Sequence, residues 1–187
     1  MKHSPMEKTL LLLSALISFS SATCFADALL LTVNATPYDR QMERIRPVLS
    51  TSSDSSADNT SLAVINNWMS DLRDIPYGYQ MVWKTPSEVE SRNPADCKGK
   101  AVALYQRMRA NGATNVRLVI GKRAPTSRMT HTWLVWETNN GSFVLDPTFN
   151  YSATRAEKVR RNSYVPLYAY AGTKKFRAAS ATLVAQN

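Results

Sequence analysis

The stretch Asp96-Cys97-Lys98-Gly99-Lys100-Ala101 opens the segment that decides the fold. Apolar side chains follow it at helical spacing: Ala101, Leu104, Tyr105 and Met108. Asn111-Gly112 supplies a helix stop, and either Asp96 or Asn93 (followed by Pro94) can cap the start. Both starts leave Cys97 near the first turn, where unpaired backbone N–H groups stabilise negative charge. The sequence therefore predicts a helix with a thiol at its N-terminal end, and the stripe turns that thiol toward the core.

Two downstream strands bring the other chemically useful side chains together. Residues 131–137 and 143–146 alternate as strands do, and residues 138–141 (Thr-Asn-Asn-Gly) favour a hairpin turn between them. If residue 137 pairs with residue 142, His131, Trp133 and Asp146 share one face, with His131 and Asp146 as diagonal neighbours. An Asn140-Gly141 turn would move that pair about two residues apart, and a three-residue loop would separate it onto opposite faces. We expect the 137–142 register.

A thiol, an imidazole and a carboxylate can together perform acyl transfer through a thioester. In such a set Cys97 attacks, His131 takes and returns the proton, and Asp146 orients the imidazole ring. From composition alone, a buried inert thiol is an equally good explanation of Cys97. Further residues are needed to decide between the two.

The composition describes one globular unit. The 187 residues are 44% hydrophobic and 20% charged, with a net charge of +9, which is enough for one domain with a core. A zinc site is not expected, because after removal of a leader over residues 1–26, described next, one Cys and one His remain, without two suitably spaced carboxylates. A P-loop, a dinucleotide-binding glycine motif and a nucleic-acid module are missing from the sequence, so we expect no cofactor and no nucleic-acid partner.

Residues 1–26 resemble a secretory signal peptide. Lys2 and Lys8 precede an apolar run at residues 10–17, and Cys24-Phe25-Ala26 fits a cleavage site before Asp27. We therefore expect a secreted or periplasmic protein that keeps one cysteine, Cys97, and one histidine, His131. Residues 27–60 are expected to be an N-terminal segment with a flexible Ser-rich linker, and residues 61–187 the catalytic domain with a basic C-terminal segment.

The upstream part of that domain contains two helix signals. Apolar residues recur at helical spacing over residues 62–72, after Thr60 or Ser61 as cap and before a stop at Ile75-Pro76. Residues 85–88 (Thr-Pro-Ser-Glu) form a capping box with proline at the first helical position. Between them, residues 77–83 alternate and predict a short extended segment.

Several of these motifs resemble the bacterial transglutaminase-like cysteine peptidases. The matching segments are residues 83–88 (Trp-Lys-Thr-Pro-Ser-Glu), 96–101, 116–119 (Val-Arg-Leu-Val), 131–134 (His-Thr-Trp-Leu) and 144–148 (Val-Leu-Asp-Pro-Thr). The resemblance covers roughly residues 62–150. It implies an α+β papain-like or transglutaminase-like core, with the nucleophile at a helix N-terminus packed on an antiparallel sheet that carries His and Asp. It also implies catalytic roles for Cys97, His131 and Asp146, in a family that includes periplasmic proteases that clip surface adhesins.

The resemblance has a limit at its calcium site. In the adhesin-processing members, acidic residues on both sides of the nucleophile help to bind calcium, whereas this chain keeps Asp96 and has Lys98 and Gly99 beyond Cys97. A lysine removes an oxygen ligand and repels the cation. We therefore predict no calcium dependence and no metal at this place. Lys98 either favours a thiolate or is a solvated surface residue.

The oxyanion hole and the substrate contacts are assigned from position. The backbone N–H of Cys97 is the first donor expected, and Gln80, Tyr79 or the Trp83 indole is the second. Gln80, Trp83 and Trp133 are predicted to border the substrate, although Trp133 is better placed to shield the imidazolium ring from water.

The C-terminal segment is strongly basic. Residues 151–187 carry an excess of Lys and Arg, which fits a solvated face or an anionic surface bound through Arg160, Arg161, Lys174 and Lys175. The leading prediction is a secreted or periplasmic cysteine hydrolase, a peptidase acting on a polypeptide or cell-envelope substrate. The alternatives are a transglutaminase-type acyltransferase that uses an amine acceptor, and a non-catalytic basic envelope-binding module.

Overall fold

The computed structural model describes residues 30–51, 60–160 and 162–179, so the predicted leader and most of the Ser-rich stretch lie outside the described residues. Seven strands of the described chain form one antiparallel sheet. In chain order they are β1 (Leu30–Val33), β2 (Val116–Lys122), β3 (His131–Thr138), β4 (Gly141–Leu145), β5 (Thr154–Arg155), β6 (Val165–Ala171) and β7 (Lys174–Ala178). Across the sheet the order is β1-β7-β6-β2-β3-β4-β5. The fold is α+β, as expected.

The helices precede β2 in the chain. They are α1 (Arg46–Ser50), α2 (Leu62–Asp74), α3 (Pro86–Glu90) and α4 (Cys97–Ala110), with 3-10 turns at Glu43–Ile45 and Ala156–Lys158. The predicted starts are confirmed, because Ser61 accepts a hydrogen bond from the Val64 N–H and Thr85 forms a capping box with Glu88. Each cap satisfies N–H groups that the first helical turn leaves without a partner.

Helix α4 is the centre of the main core. It contacts α2 and α3 on one side and β2 and β3 on the other, so almost all of its N-terminal three turns is buried. A helix that is covered on every side needs small or apolar residues all round, which the Ala-Val-Ala-Leu-Tyr run at 101–105 supplies. The buried Lys100 is the exception. Its ammonium donates to the carbonyls of Arg73 (3.3 Å) and Ile75 (2.5 Å), where α2 ends and the helix dipole favours a cation.

The opposite face of the sheet carries a smaller core. Val119, Trp133, Val144, Tyr164 and Ala169 are buried there. Gly121 makes this packing possible at the β2–β6 irregularity, because a Cβ at this position would meet the Val165 carbonyl and lie 2.6 Å from the Trp133 ring. The bulky indole of Trp133 therefore lies directly against the β2 backbone.

The N-terminal segment joins the same sheet and core. Strand β1 pairs with β7, and Met42, Ile45 and Leu49 are all buried in the main cluster. The Tyr105 hydroxyl of α4 donates to the Leu49 carbonyl at 3.4 Å. Residues 30–50 therefore pack on the domain that was predicted to begin at residue 61.

The short extended segment predicted at residues 77–83 is not a regular strand of the sheet. One isolated bridge joins Tyr77 to Ala95, and Tyr77, Tyr79 and Met81 are exposed. The described part of the C-terminal segment contains β5, a 3-10 turn and the hairpin β6–β7. None of the described helices is both long enough and apolar enough to span a membrane.

Candidate active site

Cys97 is the first residue of α4, as the sequence predicted. The Asp96 carboxylate is the N-cap and accepts hydrogen bonds from the N–H groups of Lys98 (3.1 Å) and Gly99 (3.2 Å). The thiol is free and 8% exposed. Because these caps fix the first turn, the sulfur is held at the positive end of the helix.

His131 and Asp146 form a buried pair in the expected register. Glu137 pairs with Ser142 and Leu134 with Leu145, which confirms the predicted hairpin. His131 begins β3 and Asp146 directly follows β4, so the two side chains are diagonal neighbours on one face. The His131 Nε2 lies 2.8 Å from Asp146 Oδ2, which leaves Nδ1 as the ring nitrogen available to the thiol.

The pair is strongly polarised. Burial alone would lower the pKa of His131, but hydrogen bonds with Asp146 and Cys97, and their negative charges, outweigh burial and raise that pKa to about 9. Burial likewise opposes ionisation of Asp146, yet the hydrogen bond and charge of His131 hold the pKa of Asp146 below its usual value. At neutral pH the pair is therefore imidazolium and carboxylate.

Tyr164 holds the carboxylate from the other side. Its hydroxyl donates to Asp146 Oδ2 at 2.8 Å and accepts from Asn150 Nδ2 at 3.2 Å, while the Thr148 N–H donates to Asp146 Oδ1 at 3.0 Å. Burial and the Asp146 charge raise the pKa of Tyr164, so the phenol stays a donor. Tyr164 was not among the site residues predicted from the sequence. The only signal was its place directly before the largely apolar stretch at residues 165–171.

Aromatic rings enclose the imidazole. Trp133 stacks on His131 with ring centroids 6.0 Å apart and an 18° interplanar angle, and Phe149 lies edge-on at 5.3 Å. Trp133 is 1% exposed, and its role as a substrate contact stays a prediction. Its position fits the alternative prediction, that it shields the imidazolium ring from water.

A cleft of about 120 Å³ opens beside Cys97. Its lining combines exposed apolar side chains at the rim with buried groups below: Tyr38, Gln41, Tyr77, Tyr79, Met81, Trp83, Asp96, Cys97, Lys98, Ile120, Met129, Thr130 and Thr132. Trp83 is buried in the main core, and its indole N–H has no hydrogen-bond partner among the residues that the structure describes. A buried donor without an acceptor costs free energy of folding, and such donors are rare in proteins. This N–H is therefore a candidate for binding a group that enters the cleft.

Gln80 is held by its backbone. Its N–H donates to Asp96 Oδ2 at 3.2 Å, and its carbonyl accepts from the Lys98 ammonium at 2.9 Å. Lys98 also forms an ion pair with Asp96 and lies 5.0 Å from the centre of the Tyr79 ring. Lys98 therefore links the start of α4 to residues 77–83. It is not the solvated surface lysine that was one of the two expectations.

The described ranges contain no cluster of three His, Cys, Asp or Glu side chains that could hold a metal ion. The Lys98 ammonium forms an ion pair with the Asp96 carboxylate. Independence from calcium stays a prediction.

Three of the four basic residues predicted to bind an anionic surface lie in the described part of the chain. Lys174 and Lys175 lie on β7, where the Lys175 ammonium is 2.7 Å from Asp39. Arg160 is exposed, and Arg161 lies outside the described residues. Binding of an anionic surface stays a prediction.

Comparisons with known proteins give the fold. No protein-family model and no curated protein matches the chain. Legionella pneumophila LapG in its EGTA-treated form superposes with a TM-score of 0.55 at 16% identity, over 78% of this chain and 80% of that chain. A second LapG structure gives 0.55 at 15%, over 81% and 86%. The calcium-bound form gives 0.53 at 16%, over 79% and 85%. The helix that begins at Cys97 and packs on an antiparallel sheet carrying His131 and Asp146 is thus built on the papain-like and transglutaminase-like fold that LapG shares.

Proposed function

We propose that this protein is a cysteine peptidase that acts through Cys97, His131 and Asp146. The observation that supports this most directly is the 2.8 Å contact between His131 and the buried Asp146, together with the hydrogen bond between the Cys97 side chain and the same imidazole ring. Burying an ionised side chain costs free energy unless an opposite charge and hydrogen bonds compensate it. His131 and Asp146 compensate each other, and they lie beside a thiol at a helix N-terminus, which is the arrangement that nucleophilic catalysis requires.

In the proposed mechanism each group has a defined role. The Cys97 thiolate, paired with the His131 imidazolium, attacks the carbonyl carbon of a peptide bond, and the C–N bond breaks as the imidazolium gives its proton to the leaving amine. The products are a thioester on Cys97 and a neutral His131. His131 then takes a proton from water, whose oxygen attacks the thioester carbonyl. The C–S bond breaks, the Cys97 thiolate leaves, and the carboxylic acid product loses its proton to the solvent. Asp146 keeps its charge throughout and orients the ring.

The developing oxyanion needs two donors. The Cys97 N–H lies in the first turn of α4, so its own helix offers it no carbonyl acceptor. For the second donor we propose the Trp83 indole N–H, because it is buried without a partner in the lining of the same cleft. Gln80 and Tyr79 are the alternatives, and substitution of Trp83 by Phe tests the indole directly.

We further propose that the enzyme works outside the cytoplasm, on a polypeptide of the cell envelope or its surroundings. This location rests on the signal-peptide pattern of residues 1–26. The substrate class rests on the resemblance of the motifs around Trp83, Cys97, His131 and Asp146 to cysteine peptidases.

Alkylation of the thiol tests the triad without knowledge of the substrate. We expect iodoacetamide to modify Cys97 at pH 7 at least ten times faster in the wild-type chain than in His131→Ala, because the imidazolium stabilises the attacking thiolate. Lys174→Gln, at the far side of the sheet, is the control and should react at the wild-type rate. Equal rates in wild type and His131→Ala would overturn the proposal.

The same samples separate the alternative reactions. Cleavage of a peptide mixture that is lost in Cys97→Ser supports a peptidase. Incorporation of a labelled amine into a glutamine substrate, lost in the same variant, would show acyl transfer instead. An intact biological role in Cys97→Ala would point to the binding module.

A further inference from the structure

Arg123 occupies an unusual place beside the candidate active site. It directly follows β2 and is exposed, and its guanidinium carbon lies 3.9 Å from the centre of the Phe149 ring. The Arg123 carbonyl also accepts a hydrogen bond from the Tyr164 N–H at 3.0 Å, and the guanidinium lies 5.8 Å from the Tyr164 ring. Stacking of this kind fixes the planar guanidinium while leaving its edge N–H groups free.

The stacking partner ties Arg123 to the reacting groups. Phe149 lies edge-on to His131 at 5.3 Å between ring centroids, and 46% of Phe149 is exposed. Because the guanidinium lies 3.9 Å beyond the Phe149 centroid, it is at most about 9 Å from the imidazole centroid. An extended peptide advances about 3.3 Å per residue. That distance therefore corresponds to about three residues of an extended substrate that runs from His131 past Phe149, outside the lining of the 120 Å³ cleft.

Arg123 has no acidic ion-pair partner among the residues that the structure describes. Among the described residues, no carboxylate lies within ion-pair distance of its guanidinium, although eight other basic side chains form such pairs with acidic residues: Arg44, Arg46, Arg92, Lys98, Arg107, Arg117, Arg155 and Lys175. Residues 122–130 also contain Lys122 and Arg128 and no acidic residue. The nearest carboxylate of the site, Asp146, is fully buried and is used by His131 and Tyr164.

We propose that Arg123, stacked on Phe149, is a subsite for an acidic side chain of the polypeptide substrate, within about three residues of the scissile bond. A preorganised guanidinium fork binds a carboxylate through two parallel hydrogen bonds, and the open edge of Arg123 presents that fork next to the reacting groups. This inference rests on the proposed peptidase function and adds the class of substrate: a chain with Asp or Glu near the cleaved bond.

Selection from a peptide mixture tests the subsite. The mixture varies the three positions on each side of the cleaved bond and contains matched Glu and Gln peptides. For the wild-type chain we expect kcat/KM to be at least ten times higher for Glu than for Gln at one position. In Arg123→Gln this ratio should fall to about one, and in Arg123→Glu it should fall below one because the two carboxylates repel each other. Arg128→Gln removes the same charge from the same loop, and its Glu/Gln ratio should stay at the wild-type value.

Two outcomes overturn the subsite: a wild-type Glu/Gln ratio near one, or an acidic preference that survives in Arg123→Gln. A fall of the ratio in Arg128→Gln as large as in Arg123→Gln would replace the subsite by general attraction to a basic loop. Circular dichroism verifies that each variant is folded. If His131-dependent alkylation of Cys97 is present but the acidic preference is missing, this inference alone fails. If that alkylation is also missing, the proposed peptidase function fails with it.

Discussion

At the scale of single residues, Asp146 organises the site. One carboxylate oxygen accepts from His131 and Tyr164 and the other from the Thr148 N–H, so both oxygens of a fully buried charge are satisfied. Removing any one donor would leave charge without compensation in a low-dielectric environment. Tyr164 and Thr148 are therefore positioning residues that act on the imidazole through Asp146.

The paired titration predicts how stability depends on pH. The folded pKa of His131 is about 9, above its ordinary 6.5, so its contribution is complete below pH 6.5 and is lost as pH rises toward 9. The folded pKa of Asp146 is lowered, so that contribution is present above about pH 4 and is lost in acid. We expect the loss between pH 6.5 and 9 to be on the order of 2–3 kcal/mol.

Urea unfolding at pH 6 and pH 9.5 measures this difference. Asp146→Asn keeps the shape but removes the charge that holds the proton on His131, so the unfolding free energy of this variant should change much less over the same interval. Groups outside the pair cancel in the comparison of the two proteins. Parallel pH profiles for wild type and Asp146→Asn would contradict the assignment.

The sequence allowed part of this site to be predicted. The positions of Cys97, His131 and Asp146 follow from helix start signals and strand alternation, which are local patterns, whereas their predicted roles depended on the resemblance to transglutaminase-like cysteine peptidases. Tyr164 could not be placed in this way, because it lies in a non-regular segment with φ 55° and reaches Asp146 only through the tertiary path of that segment. Trp83 was identified by position, but only the structure shows that its N–H is unpaired.

At the scale of elements, the site depends on where β2 and β6 meet. The bounds of the helices were predictable because caps and stops are short sequence signals. The structure of residues 77–83 was not predictable in this way, because an alternating pattern forms a strand only when a neighbouring strand can pair with it. Gly121 is likewise silent in the sequence. Its missing side chain lets the Trp133 ring pack closely behind His131.

Gly121→Ala should therefore destabilise the sheet and the site together. Its Cβ would overlap the Val165 carbonyl and lie 2.6 Å from the Trp133 ring and 2.9 Å from the Pro166 Cα, which the packed strands cannot relieve by rotating a side chain. We expect a loss of roughly 2–4 kcal/mol in urea unfolding, by analogy with overpacked cores, and slower alkylation of Cys97.

Gly172→Ala is the matched control for this substitution. Gly172 has φ +60°, and the nearest atom to an added Cβ is the Leu49 carbonyl at 3.9 Å. That change introduces backbone strain of about 1–2 kcal/mol without a clash. An alkylation rate that falls equally in both variants would disprove the link between Gly121, Trp133 and the site.

At the scale of the whole molecule, the N-terminal segment completes the domain. Residues 30–50 supply an edge strand and three buried apolar side chains, and Thr36 and Tyr170 share a hydrogen bond that links this segment to β6. The sequence placed the domain start at residue 61 because the Ser-rich stretch interrupts hydrophobic periodicity. Periodicity reports local elements and carries no information on which core a distant segment joins.

Removal of this segment should prevent stable folding. Burial of Met42, Ile45 and Leu49 contributes roughly 1.5–3 kcal/mol each, which together approaches the net stability of an ordinary domain. A chain that begins at residue 60 should lack a cooperative thermal transition in circular dichroism and bind a hydrophobic dye. A chain that begins at residue 30 is the control and should melt cooperatively. Equal melting temperatures for both chains would show that the domain begins after the segment.

The two outer strands of the sheet, β1 and β5, are only four and two residues long. A long free margin would offer unpaired backbone groups to which a second molecule could add, strand upon strand. In the described sheet both edge strands are too short to offer such a surface, and Arg155 adds a charge to β5. We therefore expect concentrated solutions of the folded protein to resist fibrous self-association, because neither border of the described sheet offers a long template.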